Sequence, residues 1–262
     1  MIKSDSIINF AIQEGADIVG IANVPDLMPC NPWRSPTNIL SEAKSVIVIV
    51  LKHSDAALDC NNLRLSINDT LAMYHELSRI GYRLSRSLEN KGFQAVAVPP
   101  FNPIEISEET RGLVGDFSLR HAAVSAGLGY IGRNNLLITP EFGPRVRLAA
   151  VITDADLESS FRSIKLNCGT CAVCIEKCPA KAISSEGVDI RLCTKVVGGE
   201  TGLSPLIKFL TELTDKPKEE IKKMIRSPLV WNFHQALQVG VSYGCDVCMT
   251  CCPLGKKSST HK

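Results

Sequence analysis

Apolar positions in the first 160 residues recur with two periods. Ile7, Ile8, Ala11 and Ile12 share one face of a helix predicted from about Ser6 to Glu14, which Ser4 can cap and Gly15 ends. Asp17 to Ala22 follows as a strand. Ser45 to Leu51 is β-branched and apolar on both faces, the pattern of a buried central strand. Leu71, Tyr74, Leu77, Ile80, Leu84 and Leu88 at helical spacing predict a long helix from about Asn68 to Asn90, stopped by Gly92. Phe93 to Val98 and Arg145 to Thr153 read as further strands, and the Pro-, Asn- and Ser-rich stretch 25–41 reads as a loop. Helices alternating with short strands predict an α/β layer in which helices cover a sheet.

From about Asn167 the pattern changes and cysteines dominate. Two helices are expected in an insertion, Pro205 to Leu213 and Lys218 to Ile225. The mixed charges of Lys216 to Lys223 nearly cancel, as on a solvated helix face. The polar tail after Leu254 is expected to fray. The predicted division is an α/β domain over 1–160 and a cysteine-rich domain over 161–262, with the helical insertion at 200–240.

Composition narrows the class. The chain has 262 residues, 45% of them apolar, and a net charge of +2, which leaves no large electrostatic footprint for nucleic acid. The longest aliphatic run, Val46 to Leu51, is too short to span a membrane. Met1 to Asp5 shows neither a secretory core nor a twin-arginine pair, and cysteines in cluster spacing without an export signal point to a reducing cytoplasm.

Eight of the eleven cysteines form a two-part array. The first part is Cys168-x2-Cys171-x2-Cys174-x3-Cys178-Pro179; the second begins at Tyr243-Gly244-Cys245-x2-Cys248 and closes at Cys252-Pro253. Short x2 loops let successive thiolates wrap one cubane, while the Cys before Pro turns to a neighbouring cluster. The array therefore predicts two [4Fe-4S] clusters and electron transfer. Zinc, which prefers two separated pairs, and a disulfide framework are the alternatives. The second part is broken, because Gly255 stands where a fourth Cys is needed; Cys193, Cys30 and Cys60 remain to replace it. The assignment crosses the halves: Cys168, Cys171, Cys174 and Cys252 on one cluster, Cys178, Cys193, Cys245 and Cys248 on the other. Cys251 is left over as a packed thiol.

Gly127-Leu128-Gly129-Tyr130-Ile131-Gly132 matches a dinucleotide fingerprint, which needs a strand before it and a helix after it. Here Ser118 to Ala126 reads as helix and Asn135 to Pro140 as extended, so the order is inverted. The glycines are expected to serve a tight turn or a close backbone approach to a flat ligand.

Ala126 to Asn134 with Leu137 to Arg145 resembles the cobalamin domain of epoxyqueuosine reductases and reductive dehalogenases. Tyr243 to Leu254 resembles the same family's second cluster motif, as does Cys168-Gly169-x-Cys171 with Cys193 downstream; a weaker match includes Ala43 to Val48. The resemblance implies a nitroreductase-like α/β sandwich followed by a ferredoxin-like domain with two [4Fe-4S] clusters. It further implies base-off cobalamin, bound without a protein histidine and reduced by single electrons from the clusters. Gly127, Gly129, Gly132, Arg133, Asn134 and Arg145 are the residues expected at the corrin, with Arg147 beside them. An electron donor such as a ferredoxin or flavodoxin, and a small-molecule or nucleoside substrate, follow from the same resemblance.

Proton donors are less determined. Epoxyqueuosine reductases carry an Asp-Thr stretch upstream of the glycines, whereas here the nearest carboxylate, Asp116, sits about three residues too close and reads equally as a helix cap. His121 and Tyr130 are the other candidates, each also readable as packing. Full-length epoxyqueuosine reductases continue into a tRNA-binding repeat domain; the chain's end after the second cluster motif, with its near-neutral charge, argues against a tRNA substrate. Two readings remain: a cobalamin-dependent reductase, or an iron–sulfur electron carrier that reduces a partner's corrinoid.

Overall fold

The computed structural model describes residues 2–28, 35–101, 115–197, 203–214, 216–239 and 245–256. Cys30, Tyr243 and Gly244 lie outside them. The chain divides into two compact units, the first made of 1–171 and 252–262 and the second of 172–251.

The first unit is built on one sheet. Its strands β1 (Ile18–Asn23), β2 (Ser45–Lys52), β3 (Ala95–Val98) and β6 (Val146–Thr153) stand in the order β1-β2-β6-β3, every neighbour antiparallel. β2 explains why both faces are covered. Ile47, Ile49 and Leu51 point to one face and Val46, Val48 and Val50 to the other, all of them buried. Against the first face lie α1 (Ser4–Gln13) and the 27-residue α3 (Leu63–Glu89), contributing Ile7, Ala11, Leu77, Ile80, Leu84 and Leu88. Against the second lie α4 (Leu119–Ser125) and the small ribbon of β4 (Tyr130–Ile131) and β5 (Leu137–Ile138), contributing Ala122, Ala123, Ala126, Leu128 and Leu137.

The predicted α/β layer is thus present, with two instructive differences. Lys3, not Ser4, occupies the N-cap position of α1. α3 begins five residues before the predicted start at Asn68, because Asn62 caps it by accepting from the Arg64 N–H. Its first turns bury Ser66 and Thr70 and pack against α2 (Asp55–Asp59), so polar side chains hide the helix from a hydrophobic count.

β1 would be an open edge, which invites mispairing. The segment after β6 returns to cover it: Ser160 N–H donates to the Ile21 carbonyl at 3.0 Å, and Ile21 N–H donates to Ser160 Oγ at 2.7 Å.

The second unit holds α5 (Val173–Glu176), a turn bridged at Ile183 and Val188, then α6 (Ile190–Val197), α7 (Leu203–Thr214), α8 (Lys218–Ile225), α9 (Pro228–Val239) and α10 (Val247–Thr250). Among its described residues the insertion contains three helices where the sequence predicted two. Phe209 of α7 and Phe233 of α9 are both buried, with ring centroids 6.0 Å apart. Among the described residues no helix is long and apolar enough to cross a membrane.

Candidate functional site

In the second unit four thiols converge. Asp189 caps α6 by accepting from the Arg191 and Leu192 N–H groups at 2.8 and 3.1 Å, which sets Cys193 one turn into the helix. Burial pushes the Cys193 thiol above its ordinary range, and Cys245 and Cys178 add to the shift. Cys245 is likewise raised by burial, against a stabilising Val247 N–H, with Asp246 and Cys178 pushing it further. Cys248 is raised to about 12, by burial first and then by Cys245, Cys193, Cys251 and Cys174. Cys178 Sγ accepts from the Ala182 N–H at 3.3 Å. A metal bound here would neutralise the charge that gathers when these thiols ionise.

In the first unit three thiols surround one phenol. Tyr130, on β4, has its hydroxyl 3.9 Å from Cys168 Sγ. Burial, then Cys168, Cys252 and Cys171, push its ionisation well above the usual range. Arg133, three residues on, donates to the Gly169 and Cys171 carbonyls at 2.7 and 3.0 Å. Among the described residues no three His, Cys, Asp or Glu side chains are close enough to hold one metal ion. Zinc with its ligands at 2.3 Å draws thiolate sulfurs to about 3.8 Å of each other.

The glycine motif has the predicted helix before it and extended chain after it. Its glycines admit the chain's own backbone. A β-carbon on Gly127, at φ 73°, would overlap the Phe161–Arg162 backbone. One on Gly129 would overlap the Ile138 carbonyl, and one on Gly132 would lie 2.8 Å from Ile138 Cγ1.

Other residues expected at the corrin also make contacts within the fold. Arg145, expected against a corrin, is fully buried, with Nη1 3.0 Å and Nη2 2.7 Å from the Asp59 carboxylate and Nη1 3.2 Å from Asp55. An unpaired guanidinium inside the fold would be costly, and α2 supplies both its counter-charges. Arg147 lies over the Tyr74 ring, with Nη2 3.5 Å from Thr70 Oγ1. Asn134 Oδ1 accepts from the Leu136 N–H at 3.3 Å, closing the turn.

Among the proton-donor candidates, His121 Nδ1 lies 2.6 Å from the hydroxyl of Ser118, the residue at the N-cap position of its own helix. Asp116 is exposed and does not cap that helix. The clamp of Arg133 on the cysteine loop went unpredicted, since nothing in the sequence ties position 133 to carbonyls 36 and 38 residues away.

Comparison with known proteins agrees with the motifs. No family model matches the chain. An epoxyqueuosine reductase of Bacillus anthracis is 28% identical over 231 residues, covering 87% of this chain and 52% of that protein. A tetrachloroethene reductive dehalogenase of Desulfitobacterium hafniense is 35% identical over 146 residues, 55% of this chain and 24% of that protein. In fold, the structure of epoxyqueuosine reductase from Bacillus subtilis aligns with a TM-score of 0.63 at 21% identity, covering 98% of this chain and 66% of that one. A reductive dehalogenase structure described for B12-dependent dehalogenation aligns at 0.60 with 19% identity, covering 90% and 36%. The chain spans about half the length of the Bacillus anthracis reductase. It is similar in sequence to epoxyqueuosine reductases and reductive dehalogenases, and similar in fold to both.

Proposed function

We propose that this protein is an iron–sulfur oxidoreductase whose two [4Fe-4S] clusters feed single electrons to a cobalamin, which reduces a small electrophile or a modified nucleoside. In this reading Cys178, Cys193, Cys245 and Cys248 hold one cluster and Cys168, Cys171, Cys174 and Cys252 the other. The layout is a nitroreductase-like sandwich followed by a ferredoxin-like domain carrying the helical insertion. The observation that carries it is the convergence of Cys193 with Cys178 and Cys245, cysteines distant in sequence, in a half-buried setting. The thiols fit iron–sulfur clusters by chemistry and by their spacing in the sequence: soft thiolates select them, and the x2, x2, x3 order before Pro179 suits a cubane. Thiolate ligation would fix the clusters.

The corrin stands differently. Gly127, Gly129, Gly132, Arg133, Asn134 and Arg145, the residues expected at the corrin, also make contacts within the chain. The cobalamin reading rests on the likeness to reductases, one of them described as B12-dependent. A one-electron carrier such as a ferredoxin or flavodoxin would be the donor, and the substrate would be a small molecule or a nucleoside.

The test is anaerobic purification followed by reconstitution with cobalamin. Retention of a base-off corrin spectrum at micromolar protein, with iron and sulfide for two clusters, is the expected result. Clusters without retained corrin would make the protein an electron carrier instead.

A further inference from the structure

The glycine-rich segment and the first cysteine loop meet at Tyr130 and Arg133. These side chains come from one short ribbon, in which Tyr130 pairs with Ile138 and Gly129 sits directly on the Ile138 carbonyl. The glycines allow the ribbon to close tightly, and that closure brings the Tyr130 hydroxyl to Cys168 Sγ. The guanidinium of Arg133 is fixed on the Gly169 and Cys171 carbonyls, inside the loop that carries Cys168 and Cys171.

We propose that Tyr130 and Arg133 set the reduction potential of the cluster held by Cys168, Cys171, Cys174 and Cys252, acting as tuning residues rather than as a proton donor and a corrin ligand. The inference rests on the two-cluster reading above. Reducing a [4Fe-4S]2+ cluster to the 1+ state adds one electron from a low-potential one-electron donor, and no proton moves. The added negative charge spreads over the cluster and its thiolate sulfurs. A phenol donating O–H···S and a guanidinium fixed on the same loop both favour the more negative state, so both raise the potential.

The experiment is an EPR-monitored redox titration of the full chain, purified without oxygen, comparing wild type with Tyr130→Phe and Arg133→Gln. Tyr130→Phe is expected to weaken the reduced form of one cluster about tenfold, a shift of about 59 mV to more negative potential, and to leave the other unmoved. Arg133→Gln should move the same cluster in the same direction. In D2O, the exchangeable deuteron coupled to that cluster should be present in wild type and missing in Tyr130→Phe, a change a purely structural role would not produce. Wild-type iron and sulfide for two clusters with both potentials unchanged in both variants overturns the inference. Loss of the cluster in both variants would also count against it, by making the residues structural. A wild type that holds one cluster or none sinks the two-cluster reading instead, so the two failures are told apart.

Discussion

Gly143 and Gly255 cross in backbone contact. Both are in the left-handed region, at φ 55° and 77°; a β-carbon on Gly143 would overlap the Leu254 carbonyl, and one on Gly255 the Phe142 carbonyl. The start of the tail, expected to fray, is therefore held against the turn between β5 and β6. Cys252, three residues before Gly255, is held with it, within electrostatic reach of Tyr130.

Gly255→Ala should release this crossing. Left-handed backbone alone costs a non-glycine residue about 1–3 kcal/mol, and the overlap adds to it. The expected outcome is loss of iron and sulfide equivalent to one cluster, with the other retained, read by metal analysis and EPR. Full occupancy of both would show that the crossing does not position Cys252.

The adjacent pair Cys251-Cys252 offers a sharper discrimination. Cys193→Ala is expected to lose one cluster and keep the other, Cys252→Ala to lose the opposite one, and Cys251→Ala to keep both. A cluster lost from the Cys251 variant would assign the ligand to the wrong member of the pair.

Arg145 carries a stability prediction with a pH signature. For Asp55, burial is the largest influence and pushes its carboxyl up, but Lys52 and Arg145 together override it; for Asp59 the Arg145 hydrogen bond dominates. Both end below the ordinary carboxylate value. Because the folded values lie under the unfolded value of about 3.9, this stabilisation is fully present above that pH and is lost as pH falls through the folded values. Urea unfolding should show a gap between wild type and Arg145→Met at pH 6 that narrows at pH 3. Replacing both carboxylates by Asn, which leaves the buried guanidinium unpaired, should cost about 3–5 kcal/mol.

Gly129→Ala separates packing from ligand binding. Its β-carbon would lie 2.9 Å from the Ile138 carbonyl carbon, so the ribbon must open, at about 1–3 kcal/mol by the usual cost of overpacking. A lowered melting temperature without bound cofactor is expected. Unchanged stability with loss of a retained ligand would restore the glycines to a binding role.

Much of the fold was legible because its signals are local. The β-branched run Ser45 to Leu51 dictates a strand buried on both faces, and the period from Leu71 to Leu88 dictates a helix with one apolar side. The inverted order around Gly127 was legible for the same reason: helix and strand periods sit next to each other in the chain. What local pattern missed was polar and buried, such as the Ser66 and Thr70 turns of α3, where packing against α2 replaces hydrophobicity as the reason for burial.

The sequence by itself determined the cysteine spacing: four thiols within eleven residues and a broken second motif present a soft ligand set whatever the fold around them. Only the tertiary structure decided who stands beside those thiols. Whether Arg133 meets a cofactor or a carbonyl, and whether Arg145 meets a corrin amide or Asp59, depends on contacts across 36 and 86 residues of chain. Guanidinium, glycine and phenol are each compatible with either role, so their roles are set by which groups the sheet and its ribbon bring within hydrogen-bonding distance.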